Sequence, residues 1–226
     1  MTWIGGDSCQ NPTGWSHYLK ESGIAGGIDM YARSGATWTN TCNTKADADF
    51  YSEILNDDNV VYNQTLRLIK EADADIMHTP DVIVIFAGAN DAWFCDKRPG
   101  IFDNVLPSLD TYDKDTDPAS VTSLAGCVSL TCYLLKDIFP ESKIVLVTPL
   151  EMSKAPAGMT ARVADAIESA GIACRVMTLR ADREVAIRHQ EEKKKPHYTY
   201  DGVHTNPEGA RMLGQYIIEN LKSLIR

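Results

Sequence analysis

The stretch Asp81-Val82-Ile83-Val84-Ile85-Phe86-Ala87-Gly88-Ala89-Asn90-Asp91 decides the fold. Its first half is a continuous apolar run, without the polar alternation of a strand that has one wet face. Such a run reads as a strand buried on both sides, as in a parallel sheet. The run stops at Gly88, and the polar pair Asn90-Asp91 follows at once. Ligands of an open α/β sheet bind beyond the carboxyl ends of its strands, so this pair stands where chemistry is expected.

Residues 143–147, Lys-Ile-Val-Leu-Val, form a second such run, stopped by Thr148-Pro149. Residues 2–5, 27–31 and 173–178 are weaker strand candidates. Between them lie helical patterns. Val121, Leu124, Ala125, Val128, Cys132, Leu135 and Phe139 recur in steps of three and four, one apolar stripe on a single helix. Ala210, Leu213, Ile217, Leu221 and Leu224 do the same behind Pro207, a residue suited to a helix's first turn. Shorter helices are expected at residues 15–21, 62–72, 161–170 and 182–190. Strand and helix therefore alternate along the chain, which predicts an α/β fold with a parallel sheet and helices on both faces. No repeat or linker divides residues 1–226, and one domain is expected. Two connections, residues 36–59 and 92–119, are long for such a fold, and long loops in compact domains are often functional.

Composition narrows the function. The chain has 226 residues, a net charge of −9 and 44% hydrophobic residues. An acidic balance argues against a nucleic-acid partner, because phosphates demand a basic surface. No apolar run approaches the ~20 residues that span a bilayer. Residues 1–8 lack the basic start and apolar centre of an export signal, so the cytoplasm is the expected compartment unless a leader has been removed. Of the six cysteines, Cys9, Cys42, Cys95, Cys127, Cys132 and Cys174, none is spaced as a metal or redox pair, and most are expected to be buried free thiols.

Four segments at strand ends or before the last helix supply acyl-transfer chemistry: Gly6-Asp7-Ser8, Ser34-Gly35-Ala36, Gly88-Ala89-Asn90-Asp91 and Asp201-Gly202-Val203-His204. A serine hydroxyl is a poor nucleophile until a base removes its proton, and histidine suits that task. A carboxylate must hold the imidazole's tautomer and stabilise its charged form. Asp201, three residues before His204 in a turn-prone stretch, is spaced to fold back onto the ring. The oxyanion then needs donors, and the backbone N–H groups of Ser8 and Gly35 and the amide of Asn90 are the candidates.

These blocks resemble those of the SGNH hydrolases, the GDSL esterase/lipase family. Gly6-Asp7-Ser8-Cys9 matches its first block, with Cys9 in place of leucine. Ala32-Arg33-Ser34-Gly35 matches the second, Gly88-Ala89-Asn90-Asp91 the third and Asp201-Gly202-Val203-His204 the last. Each block alone is weak, but four in family order over nearly the whole chain are specific. The resemblance implies a flavodoxin-like, three-layer α/β/α sandwich of about five parallel strands. It implies ester hydrolysis through an acyl-enzyme with no metal or cofactor. Ser8, Gly35, Asn90 and His204 would be the family's four site residues.

Blander readings compete. Any Gly-Asp-Ser taken alone suits a turn or helix cap. Asp91 reads as structural, bonding nearby loop backbone. His17 and His189 fall on predicted helices and read as surface or packing residues. Asp113-x-Asp115-x-Asp117 opens like a calcium loop, but Pro118 stands where the turn glycine belongs. Lys193-Lys194-Lys195 reads as a solvated helix end. Trp38, Trp93 and Phe94 follow the oxyanion residues and either line the pocket or anchor the two long loops. The expectation is a serine esterase removing short, acetyl-like acyl groups from a carbohydrate or other hydroxylated small molecule. Lysophospholipid or thioester hydrolysis and acyl transfer are the alternatives within the same chemistry. A binding module that lost turnover is the alternative outside it.

Overall fold

The computed structural model describes residues 2–5, 14–103 and 111–224. Five parallel strands form one sheet: β1 (Thr2–Gly5), β2 (Asp29–Met30), β3 (Val82–Phe86), β4 (Lys143–Val147) and β5 (Met177–Leu179). Their spatial order is β2-β1-β3-β4-β5, the flavodoxin-like order, which reverses between β1 and β3. Gly5 pairs with Phe86, so both strands end on the same side of that switch point.

Period-two alternation in β3 divides the core. Val82, Val84 and Phe86 point to one face, where they pack with Trp15 and Leu19 of α1 (Trp15–Glu21) and Leu213, Ile217 and Leu221 of α8 (Pro207–Leu221). Trp15 meets Phe86 edge-on, ring centres 6.0 Å apart. Ile83 and Ile85 point to the other face, against α2 (Val61–Asp73), α4 (Leu124–Ile138) and α5 (Met159–Cys174). β4 repeats the division, with Val145 and Val147 on the first face and Ile144 and Leu146 on the second. This is the expected three-layer α/β/α sandwich. Caps set the helix starts: Ser123 accepts the Gly126 N–H for α4, and Asn206 accepts the Gly209 N–H ahead of Pro207 for α8.

Two segments differ from expectation. Residues 173–178 are not one strand: α5 runs on to Cys174, Arg175 turns in the left-handed region at φ 52°, and β5 begins at Met177. The helix persists because Val163, Ile167, Ala170 and Cys174 continue its buried stripe. Residues 182–190 are not one helix either, but α6 (Ala181–Glu184) and α7 (His189–Lys194). Val185 and Ile187, two apart, are both buried, as the period of two of extended chain places them on one face. A short helix, α3 (Ala89–Trp93), starts at the Asn90 motif and enters the connection expected at residues 92–119. Among the described residues no helix is long and apolar enough to cross a membrane. Cys127, Cys132 and Cys174 are buried free thiols, while Cys42 is exposed.

Beyond β4 and β5, Arg180 grips Asp182 with two parallel hydrogen bonds of 2.8 Å and also reaches Asp165 and Glu168. Thr148 Oγ1 donates to Asp182 at 2.8 Å, tying β4's end to the same group. Burial pushes the Asp182 carboxyl up, but the guanidinium and hydroxyl outweigh it and hold it below its ordinary value. The pair's stabilisation is thus complete above the unfolded carboxylate value of about 4 and is lost as pH falls through the lower folded value. Asp182→Ala leaves a buried guanidinium short of its main partner and is expected to cost about 3–5 kcal/mol at pH 7. Urea titrations at pH 7 and pH 3 check this, with a smaller difference expected at pH 3.

Candidate active site

Asp201 and His204 sit at the tip of the loop between α7 and α8. Asp201 Oδ2 lies 3.0 Å from His204 Nδ1, while Oδ1 accepts the backbone N–H groups of Val203 and His204 at 3.0 and 2.9 Å. One carboxylate therefore shapes the turn and orients the ring. An ionised carboxylate only accepts, so Nδ1 carries the proton and Nε2 is the basic nitrogen of the neutral imidazole. Burial pushes Asp201 up, but these hydrogen bonds and the imidazole prevail and hold it below its ordinary value. The carboxylate thus stays ionised through the usual carboxylate range, and its contribution to stability fades only in stronger acid. Gly202, at φ +88°, permits the tight turn.

Asn90 opens α3 just past β3, and its Nδ2 donates to the Ala36 carbonyl at 2.8 Å. That bond joins the second and third motif blocks. Gly35 sits at φ +72°, and a Cβ there would lie 2.5 Å from the backbone of Ile54. Only glycine fits, because both the conformation and the close chain exclude a side chain.

Asp91, next to Asn90, has no exposed surface. Its carboxylate accepts the Trp38 N–H, the Thr39 N–H and the Thr39 hydroxyl at 2.9, 2.9 and 2.7 Å. Asp91 therefore binds the loop after β2 to the loop after β3. Burial pushes its carboxyl up, opposed by these donors.

Among the described residues, Ala36, Phe86, Gly88, Asn90, Leu150, Met152, Val203 and His204 line one pocket at the carboxyl end of the sheet. The structure thus brings Asn90 and His204 together, with Asp201 behind His204. Gly35 flanks Ala36 but is not among those lining residues. Ser8 and the rest of its block lie outside the described residues. Trp38 is 1% exposed and belongs to the core, so it anchors the loop instead of lining the pocket. Trp93 is partly buried and stacks on Phe94, ring centres 4.9 Å apart; it is not among the pocket's described residues either.

The other predicted features fall elsewhere. His17 pairs with Glu21 on the surface of α1 at 3.2 Å. His189 Nδ1 donates to the Met152 carbonyl at 2.7 Å, a packing contact as its sequence reading allows. Asp113 and Asp117 accept backbone N–H groups of their own turns.

The family model described as GDSL-like lipase/acylhydrolase matches residues 6–212. The chain belongs to that family. As a GDSL-like lipase/acylhydrolase it is a hydrolase of esterase type. A protein from Lactobacillus plantarum shares its fold with a TM-score of 0.67 at 16% identity, over 98% of this chain and 95% of that one. The aryl esterase of M. smegmatis gives 0.60 at 15% identity, over 99% and 98%. The lipase/acylhydrolase of Enterococcus faecalis gives 0.56 at 16% identity, over 99% and 96%. No curated protein sequence matches significantly.

Asp91→Ala is expected to lower stability by at least about 3 kcal/mol, about 1–3 for each orphaned donor. Denaturant unfolding checks it. Asp91→Asn, which keeps one acceptor oxygen, should lose less.

Proposed function

We propose that this GDSL hydrolase removes short acyl groups from hydroxylated small molecules through an acyl-enzyme on Ser8. The observation that carries the reading is the pairing of Asp201 with His204 Nδ1 at the mouth of a pocket that Asn90 also lines. Ser8 follows Gly5 by three residues, and β1 ends beside β3 at the switch point, which supports its placement in the same chemistry.

In the proposed cycle His204 Nε2 takes the Ser8 proton as Oγ attacks the ester carbonyl. Asp201 holds the ring and stabilises the imidazolium. The Ser8 and Gly35 N–H groups and Asn90 Nδ2 receive the oxyanion; each such donor is worth about 3–4 kcal/mol of barrier. The imidazolium then protonates the leaving alcohol. In the second half His204 activates water, which attacks the acyl carbonyl and frees Ser8.

The pocket supports the short-acyl preference. Its cavity of about 60 Å³ is walled by Phe86, Leu150, Met152 and Val203. A small space of this kind suits a short acyl group better than a long chain. The apolar walls suit a methyl or ethyl group, and among the described lining residues no acidic, lysine or arginine side chain faces them.

Hydrolysis of p-nitrophenyl acetate, butyrate and octanoate tests this. Wild type should favour acetate, and Ser8→Ala should remove at least about a thousandfold of kcat. Wild-type turnover no faster than that of Ser8→Ala on every ester would defeat the reading. Met152→Ala should enlarge the pocket and raise the butyrate-to-acetate ratio of kcat/KM by about 10-fold, the worth of a methylene or two in an apolar pocket.

A further inference from the structure

The loop carrying Asp201 and His204 is exposed at its tip and buried at its base. Both side chains at the tip are nearly half exposed, at 43% and 45%. Water competes for an exposed pair of this kind, so their mutual hydrogen bond holds the loop only weakly. The Tyr200 N–H donates to the His204 carbonyl at 2.8 Å and closes the tip on itself, and its register against the rest of the fold is set from beneath.

A carboxylate that the proposed chemistry does not use lies there. Glu192 in α7 is 1% exposed. Its Oε1 accepts the His197 and Tyr198 N–H groups, each at 3.0 Å, and its Oε2 accepts the Thr199 hydroxyl. Having given its proton to Glu192, Thr199 Oγ1 accepts the Gly202 N–H at 2.9 Å. Gly202 stands between Asp201 and Val203-His204, and its own carbonyl accepts the Ser153 N–H at 2.8 Å. The path Glu192–Thr199–Gly202 ends inside the Asp-x-x-His block.

Chemistry fixes the direction of that path. A buried ionised carboxylate is costly unless donors surround it, and here every donor comes from the loop. A carboxylate only accepts, so the Thr199 hydroxyl must point at it and keep a lone pair for Gly202. A glutamine would place an NH₂ among these donors. That group would confront the N–H of His197 or Tyr198, or donate to Thr199 and turn its hydroxyl away. Simple packing would be served as well by an apolar residue.

We propose that Glu192 is a positioning residue for the Asp201–His204 pair, acting through Thr199 and Gly202. It rests on the reading of His204 as general base. Misplacement of a catalytic group by about 1 Å costs up to about 100-fold in rate.

The test uses p-nitrophenyl acetate with the whole chain, folding being verified by circular dichroism and thermal melting. Glu192→Gln and Thr199→Val are expected to lower kcat about 10- to 100-fold with KM within about twofold, while Thr199→Ser keeps the hydroxyl and restores the rate. In an Asp201→Ala background, Glu192→Gln should cost less than about twofold more, because the alignment it supports is already gone. An unchanged kcat with only a lowered melting temperature overturns the inference, and so does a full multiplicative loss in that background. Activity that needs Ser8 and His204 but ignores Glu192 sinks this inference alone. Activity that ignores Ser8 and His204 sinks the assignment of the site and this inference with it.

Discussion

Taking a carboxylate wholly out of water costs several kcal/mol unless donors replace its hydration, and Asp91 imposes that demand where two loops meet. Trp38 and Thr39 answer it with two N–H groups and a hydroxyl. Once Trp38 is held there, the neighbouring chain has little freedom. Thr37 exchanges backbone hydrogen bonds with Asn59 and Val61, and the Ala36 carbonyl faces the Asn90 amide. Asn59 donates to the Ser34 and Ile54 carbonyls, closing the chain around Gly35. The oxyanion candidates thus inherit their places from a charge that never touches the pocket.

The other side of the pocket uses the same device. Glu192 accepts two consecutive backbone N–H groups and the hydroxyl of the next threonine, as Asp91 accepts two N–H groups and the Thr39 hydroxyl. Both carboxylates are buried, and both bind loops that also carry an apolar anchor, Trp38 on one side and Tyr198 on the other. A loop anchored by a hydrophobe can slide, because dispersion is not directional. A loop anchored by three donors on one carboxylate has a register. Sheet and helices supply the stability, while two buried charges supply the position of the chemistry.

How much of this the sequence disclosed follows from the range of the signals. The runs at β3 and β4 and the stripes of α4 and α8 are local and repeat many times, so they were legible. The four motif blocks were legible because each keeps its own short spacing. The boundary of β5 was not, since Ala-Gly-Ile-Ala-Cys is short and apolar and suits strand or helix equally. Trp38 read equally well as a pocket aromatic or a loop anchor, because adjacency to Gly35 in sequence does not tell which way an indole points. Glu192 was invisible: Glu191-Glu192 before three lysines reads as a wet helix end, and only the returning loop makes one glutamate buried and its neighbour exposed.

The wall of the pocket is tied to the same frame, and this separates selectivity from chemistry. Leu150 and Met152 come from the segment after β4, which the main chain ties to the histidine loop through Ser153 N–H and the Gly202 carbonyl. His189 adds a bond to the Met152 carbonyl, again to main chain. None of these ties uses the side chains that face the pocket. Phe86 is likewise held by its strand register with Gly5 and Val147. The walls can therefore change size while the backbone that carries them, and the proposed base linked to it, stay where they are. A fold built this way can keep one acyl-transfer apparatus and vary the acyl group it admits by side-chain volume alone.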